Sequence, residues 1–137
     1  MPGLTKEEIQ SYYDERNLHA KNPVRIETVG EMSARLYLTV EQRHLRSGDT
    51  ISGPTLMWLA DAAMYTAILG TLGTVYQALT TNLNINFLRK PGAVDVIAEC
   101  RLLKVGKQLV FGEVELFSVG MDKPVAHVTC TYSIPKK

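Results

Sequence analysis

Cysteine and histidine are scarce in this chain, and none of them has the spacing of a metal site. The 137 residues include two cysteines and three histidines. His19, His44 and His127 are isolated from one another and from Cys100 and Cys130, so we expect no metal centre. Both cysteines lie on predicted strands, and no signal peptide precedes them. We therefore expect reduced core thiols in a cytoplasmic protein.

Excess charge is also missing. Fifteen basic residues face fourteen acidic ones, which gives a net charge of +1, and there is no basic run. Nucleic-acid binding loses its main driving force in such a chain, so we expect no nucleic-acid partner. The apolar run 54–72 is nearly long enough to span a membrane, but Asp61 would then lie near the midplane at a cost of about 3 kcal/mol. A buried core helix, with no membrane partner, fits the run better.

What is present is the apolar content and periodicity of one globular domain over residues 1–137. Hydrophobic residues make up 45% and charged residues 21% of the chain, which is the globular range. Thr5 and Glu8 form a capping box that predicts a short helix up to about Arg16, so residues 1–23 form an N-terminal helix and linker. Alternating apolar residues predict strands over 24–29, 33–40, 79–88, 94–102, 108–119 and 126–134.

Between the second and third of these strands the sequence predicts one long helix. Ser52 is a good N-cap and Pro54 suits the first helical turn. Residues 55–69 are apolar almost all round, so the helix should be surrounded by other elements. Short turns link the four strands that follow and indicate antiparallel pairing. We predict an α+β hotdog fold, in which a curved antiparallel sheet wraps around the central helix.

Asp61 is an acid in the middle of this apolar helix. No lysine or arginine occurs between Arg46 and Arg89, so no cationic partner lies nearby in the sequence. A lone buried carboxylate costs several kcal/mol unless it is paired, hydrogen-bonded or neutralised. Asp61 is therefore a candidate catalytic group whose basicity an apolar setting should raise. The structural alternative is an acid bonded to loop backbone at a subunit interface.

Several segments, in order, resemble the hotdog-fold thioesterases related to the phenylacetic-acid-pathway and hydroxybenzoyl-CoA enzymes. That family opens its helix with His-Gly-Gly and has an acid nine positions after the His. Ser52-Gly53-Pro54 occupies the motif here, and Asp61 stands nine positions after Ser52. Residues 79–91 are similar to the family's next strand and turn, and residues 126–132 are similar to its last strand.

The resemblance implies hydrolysis of an acyl-CoA without a metal or organic cofactor. It implies that the Gly53 N–H polarises the thioester carbonyl and that Asp61 is the nucleophile or the base for a water. A helix N-terminus supports this independently, because its free N–H groups and partial positive charge stabilise an oxyanion. Thr80 matches a Ser or Thr of the partner subunit that positions the water. The family also implies a homodimer, often paired into a tetramer, with sites between subunits.

Other candidate residues have two interpretations each. Ser52 caps the helix or contacts substrate, and Trp58 belongs to the core or to the acyl pocket. A cation at Arg46 pairs with Asp61 or holds substrate. Arg89 and Lys90 are solvated turn residues or ligands of the CoA phosphates.

In strand 79–88, two alternating sets of side chains face opposite ways. One set is Thr81, Leu83, Ile85 and Phe87, and the other is Thr80, Asn82, Asn84 and Asn86. We expect His44 to lie on the surface and Gly112 to form a bulge.

Two departures from the family motif leave other functions open. Ser52 replaces the His, and Pro54 replaces the second Gly and has no N–H to donate. The first alternative function is a non-catalytic acyl-CoA-binding hotdog protein. The second is a hydratase or dehydratase of acyl thioesters, which usually needs an Asp and His pair. No His follows Asp61 at short helical spacing.

Overall fold

The computed structural model describes residues 2–19 and 22–135. The first element, α1, spans Lys6–Arg16. Its capping box is confirmed, because the Thr5 N–H donates to Glu8 Oε1 at 2.9 Å and the Glu8 N–H donates to Thr5 Oγ1 at 3.1 Å. Ile9 and Tyr13 form its buried face, so α1 packs against the rest of the domain along one stripe.

Six strands form one antiparallel sheet. They are β1 Val24–Gly30, β2 Ser33–Leu38, β5 Leu79–Phe87, β6 Val96–Val105, β7 Leu109–Ser118 and β8 Ala126–Ser133. Their order across the sheet is β1-β2-β6-β7-β8-β5, with every neighbouring pair antiparallel. A separate two-stranded sheet pairs β3 (Leu45–Arg46) with β4 (Thr50–Ile51).

The central helix α2 spans Gly53–Leu72 and contacts all six strands of the large sheet. A sheet that touches one helix along its whole width must curve around it, as predicted for the hotdog architecture. Ser52 caps the helix by accepting a hydrogen bond from the Thr55 N–H, and Gly73 ends it with φ of 91°. By length and composition α2 could cross a membrane, yet half of that apolar window is buried in the fold.

The prediction of four consecutive hairpin-linked strands is wrong at β5. This strand pairs with β8, not with β6 that follows it in sequence. The segment after β5 therefore crosses to the other side of the β7–β8 pair, and β5 becomes an edge of the sheet. Within the described residues β5 has β8 on one side and no strand on the other, and its residues Leu79 and Phe87 are 63% and 55% exposed.

His44 is buried, which contradicts its predicted surface position. It lies in a short 3-10 helix, Gln42–His44, and is 3% exposed. Its Nδ1 accepts the Glu41 N–H at 2.9 Å, and its Nε2 lies 2.9 Å from Asn22 Oδ1. The Glu41 bond requires an unprotonated Nδ1, so Nε2 carries the hydrogen and donates to Asn22. The ring thus ties the loop before β3 to the segment before β1.

Candidate active site

Asp61 lies in the third turn of α2 and is half-buried. Its Oδ1 accepts hydrogen bonds from the Thr80 hydroxyl at 2.6 Å and the Tyr132 hydroxyl at 2.8 Å. The Tyr132 hydroxyl also approaches the Asp61 carbonyl oxygen at 3.2 Å. Within residues 2–19 and 22–135, no lysine, arginine or histidine forms an ion pair with Asp61. Two neutral donors therefore orient a carboxylate that has no cation to neutralise it.

Thr80 reaches Asp61 because β5 carries a bulge. Thr80 pairs with Tyr132 and Asn82 pairs with Thr131, so the register shifts at Thr81. One extra residue breaks the alternation of side chains along the strand. Thr80 therefore lies on the inward face of the sheet together with Tyr132. The predicted grouping of Thr80 with the asparagines is wrong for this reason. The contact also lies within one chain, whereas the resemblance implied that Thr80 acts across a subunit boundary.

Tyr132 is a site residue that the sequence analysis did not identify. It lies on the inward face of β8, where it is the residue with a hydroxyl among otherwise apolar neighbours. Burial, and secondly the negative charge of Asp61, raise the pKa of its phenol, so it remains protonated and donates to the carboxylate. The sequence did contain a signal for this residue. Tyr132 is a phenol in a series of inward-facing apolar residues, and a buried Tyr hydroxyl usually has a hydrogen-bond partner.

Cys130 is the next inward residue of β8 and is buried. Burial, and secondly the charge of Asp61, raise the pKa of its thiol to about 12. The thiol is protonated at neutral pH and is a poor nucleophile. Cys100 and Cys130 are both free and buried, which agrees with their prediction as core thiols.

A cavity of about 300 Å³ adjoins the carboxylate. One face of α2 contributes to its wall, with residues at helical spacings of three and four. The lining residues are Leu18, His19, Trp58, Asp61, Ala62, Tyr65, Ala78, Leu79, Thr80 and Tyr132. Trp58 therefore lies beside Asp61, as one of its two interpretations required, and most of the surrounding wall is aromatic or aliphatic.

The Gly53 N–H lies at the start of α2 in a second cavity. Ser52 Oγ is already engaged with Thr55, through the N–H at 3.3 Å and the hydroxyl at 2.7 Å. Pro54 has no N–H, and Leu56 donates to the Ser52 carbonyl at 3.2 Å. Among the described residues, the Gly53 N–H has no hydrogen-bond partner. It is the free donor that this helix N-terminus retains.

Cations surround this second cavity, which has a volume of about 370 Å³. Arg46, Arg89 and Lys90 line it together with Gly53 and Phe87. The guanidinium of Arg89 donates to the Pro124 carbonyl, so it is held in place by backbone. Arg46 belongs to this cavity and not to that of Asp61, so the first of its two interpretations, an ion pair with Asp61, is wrong. Positive side chains beside a helix N-terminus form an anion-binding environment.

One copy of the chain does not bring Gly53 and Asp61 together. Eight residues of α-helix separate them by ~12 Å along the axis. They also line different cavities. An acyl carbonyl cannot contact both groups of the same subunit at once.

Comparisons with known proteins match most of the chain. A family model described as the thioesterase superfamily matches residues 48–125, more than half of the length. A solved Silicibacter protein described as a "putative thioesterase" is 37% identical with a TM-score of 0.88, over 99% of this chain and 95% of that one. The E. coli PaaI protein from the phenylacetic acid degradation operon shares the fold at 22% identity and a TM-score of 0.83, over 95% and 92% of the two chains.

A curated relative gives a shorter match. The "putative esterase" of Thermoplasma acidophilum is 27% identical over 86 residues. That alignment covers 63% of this chain and 64% of the relative. The chain therefore spans slightly less than two thirds of the length of the curated relative that it matches.

Proposed function

The chain belongs to the thioesterase superfamily, and on that premise we propose that it hydrolyses an acyl-CoA thioester to a free acid and coenzyme A. The observation that carries the proposal is the arrangement at Asp61. Its carboxylate is oriented by two hydroxyls, has no cationic partner among the described residues, and adjoins a cavity whose wall includes Trp58 and Tyr65. A base or nucleophile needs this combination of fixed position and free negative charge.

Asp61 serves the reaction in one of two ways. As a base, it takes a proton from water while the water oxygen bonds to the thioester carbon. The carbon–sulfur bond then breaks, and the proton passes to the departing thiolate. As a nucleophile, Asp61 forms a mixed anhydride with the acyl group, releases the thiolate, and is regenerated by water. In both cases Thr80 and Tyr132 are positioning residues that hold one carboxylate oxygen.

A second copy of the chain completes the site in this proposal. The exposed edge strand β5 offers unpaired backbone groups, which a two-fold copy of the same strand satisfies by antiparallel pairing. Pairing centred on Leu83, the middle residue of Leu79–Phe87, places Leu79 of one copy opposite Phe87 of the other. Phe87 packs on Gly53, since a Cβ added at Gly53 would lie 3.2 Å from the Phe87 ring.

The two ends of the substrate are distinguished by charge. Gly53 of the second copy donates its N–H to the thioester oxygen, which carries negative charge in the tetrahedral intermediate. The cationic cavity of that same copy, with Arg46 and Lys90, binds the phosphates of CoA. The acyl group then extends into the cavity beside Asp61.

Asp61→Asn tests the proposal. The amide has the shape of the acid but neither its charge nor its basicity, so thiol release from acyl-CoA should fall by about three orders of magnitude. Asp122→Asn is the matched control, because Asp122 is an exposed acid beyond β7 and should leave activity unchanged. Full activity of Asp61→Asn contradicts the mechanism. Binding of CoA with no thiol release by the unaltered protein favours an acyl-CoA-binding role.

A further inference from the structure

The turn after α1 is fixed against α2, so its side chains have defined positions. The Tyr13 hydroxyl shares a buried hydrogen bond of 2.6 Å with Thr66 Oγ1 of α2. Asn17 ends α1 in the left-handed region, with φ of 54°. The Leu18 N–H then donates to the Tyr13 carbonyl at 3.0 Å. These bonds hold the segment that carries His19 in place on the surface of α2.

His19 presents its ring to the cavity of Asp61. The ring centroid lies 4.4 Å from that of Tyr13 and 5.2 Å from that of Trp58, and the Trp58 contact is edge-on. Trp58 precedes Asp61 by three residues on α2. His19, Leu18 and Trp58 all line the cavity that adjoins the carboxylate. The His19–Trp58 pair therefore forms a wall about one helical turn, ~4.5 Å along the axis, from the catalytic acid.

The contacts of His19 are those of a ring that fills space. Its Nδ1 is buried and has no hydrogen-bond partner among the described residues. His44, by contrast, uses both nitrogens. Burial lowers the pKa of His19, so the ring is neutral at pH 7. A neutral ring that packs against Tyr13 and Trp58 acts through its shape.

We propose that the His19–Trp58 pair closes the acyl end of the cavity and restricts the substrate to acyl-CoAs with a compact acyl group, such as a short chain or a single ring. The inference rests on the proposed function, because hydrolysis at Asp61 fixes where the carbonyl lies. With CoA bound in the cationic cavity of the second copy, the acyl group points from Asp61 towards this wall. A long chain meets the two rings within about one helical turn.

Turnover of three substrates tests the role of His19. We compare kcat/KM for butyryl-CoA, benzoyl-CoA and palmitoyl-CoA in the unaltered protein, His19→Ala, His19→Phe and His127→Ala. His19→Ala opens the wall, so the ratio of palmitoyl-CoA to benzoyl-CoA should rise by about tenfold or more. His19→Phe retains a ring and should keep the original ratio. His127→Ala makes the same deletion on the outer face of β8, beside Glu113, and should also keep it.

The result that overturns the proposal is an unchanged ratio in a folded, active His19→Ala protein. If that variant fails to fold, Trp58→Leu shortens the same wall from the side of α2 and should shift the ratio in the same direction. His19→Phe removes the imidazole nitrogens but keeps a ring. If it changes the ratio of palmitoyl-CoA to benzoyl-CoA turnover as much as His19→Ala does, a role through shape is also contradicted.

Binding measured without turnover separates this inference from the proposed hydrolysis. Trp58 is the one tryptophan of the chain, so intrinsic fluorescence reports occupation of the cavity. S-Benzyl-CoA and S-hexadecyl-CoA are thioethers that cannot be hydrolysed. The hexadecyl analogue should bind His19→Ala at least about tenfold more tightly than the unaltered protein, with little change for the benzyl analogue. Equal gains for both analogues contradict the wall. The hexadecyl-specific gain in a protein that releases thiol from no acyl-CoA supports the wall and contradicts the hydrolase.

Discussion

At Asp61 a single carboxylate oxygen takes both hydroxyl hydrogen bonds, from Thr80 at 2.6 Å and from Tyr132 at 2.8 Å. Both donors bind Oδ1, and Oδ2 has no hydrogen-bond partner among the described residues. Two donors on one oxygen fix the rotation of the carboxylate about its last side-chain bond. Oδ2 is thereby the atom that remains free to take a proton or to attack a carbonyl carbon.

Thr80→Val removes one of these donors and keeps the shape of the side chain. A hydrogen bond to a charged group contributes about 1.5–3 kcal/mol, so kcat should fall by about one to two orders of magnitude while KM changes little. Steady-state thiol release measures both constants. Thr81→Val is the matched control, because the Thr81 hydroxyl bonds the Thr131 carbonyl and does not contact Asp61. Thr80→Ser retains the hydroxyl and should restore most of the activity. A similar loss in Thr81→Val would assign the effect to strand stability.

Sequence reasoning could single out Asp61 and Gly53 as candidates because their signals are local: an acid on an apolar helix, and a glycine at its start. It missed the orientation of Thr80 because a bulge depends on how β5 pairs with β8, which spacing within one strand does not contain. The interpretation of Arg46 as an ion-pair partner of Asp61 was wrong for a similar reason. The β3–β4 hairpin directs Arg46 towards Gly53, and that hairpin is too short to produce a periodic pattern.

At the scale of elements, the segment between β2 and α2 depends on one buried histidine. His44 bonds the Glu41 N–H and Asn22, and its carbonyl accepts the Ser52 N–H at 2.9 Å. Ser52 is the N-cap of α2, so the loop that holds His44 also positions the start of the helix. Gly53, the proposed oxyanion donor, follows directly.

This arrangement predicts a stability that falls in mild acid. Burial, and secondly the charge of Arg43, lower the pKa of His44 below 6.5. The unfolded chain then binds a proton at higher pH than the folded chain, so stability is full above pH ~6.5 and declines as pH falls towards the folded pKa. Urea unfolding between about pH 7.5 and 5 should show this decline. His44→Gln should lower the unfolding free energy by about 1–3 kcal/mol at pH 8.

The same variant should also flatten the decline. His19 has a lowered pKa of its own, so His19→Phe combined with His44→Gln should flatten it further. His127→Gln changes a histidine that bonds Glu113 on the outer face of β8 and controls for loss of any histidine. If His44→Gln has the same pH slope as the unaltered protein, His44 does not titrate on unfolding.

The strands themselves were predictable, because the period of two places apolar residues on the face that meets α2. Their order was not. A short linker after β5 suggested a hairpin with β6, but β5 pairs with β8 and lies at the edge. Which strand becomes the edge is decided by how the whole sheet closes around the helix, and no local pattern encodes that. The predicted bulge at Gly112 is misplaced for the same reason, because the position of a bulge depends on how two strands pair. The register shift lies opposite Gly112, between Leu102 and Lys104, while a Cβ at Gly112 would meet Met64 Sδ at 2.7 Å.

At the scale of the whole molecule, the resemblance to hotdog thioesterases is confirmed by the family match and by the fold. The fold also gives a physical reason for the proposed pairing of two copies. A single sheet leaves β5 exposed, and a single chain separates Gly53 from Asp61 by ~12 Å along α2. The proposed pairing of two β5 edges would remove both deficiencies at once, because it would cover the unpaired backbone and bring each Asp61 near the other copy's helix start.

A shared site predicts that two inactive variants restore each other. Gly53→Pro removes the N–H, and the backbone tolerates proline there. Ser52 is already extended, with φ of −68° and ψ of 148°, and Gly53 is the first helical residue, a position that favours proline. Gly53→Ala is its control, because it adds the same Cβ against Phe87 but keeps the N–H. Gly53→Pro should be about two to three orders of magnitude less active than Gly53→Ala.

Co-refolding Gly53→Pro with Asp61→Asn in equal amounts then decides where the site lies. Random pairing makes half of the dimers mixed, and each mixed dimer has one site with both defects and one with neither, so about a quarter of normal thiol release should return. A site contained within one chain predicts no recovery, because every copy then carries a defect of its own. Mixing without refolding is the control, since subunits that do not exchange should stay inactive. Recovery that appears only after refolding therefore requires Gly53 of one copy to act on the substrate of the other copy's Asp61.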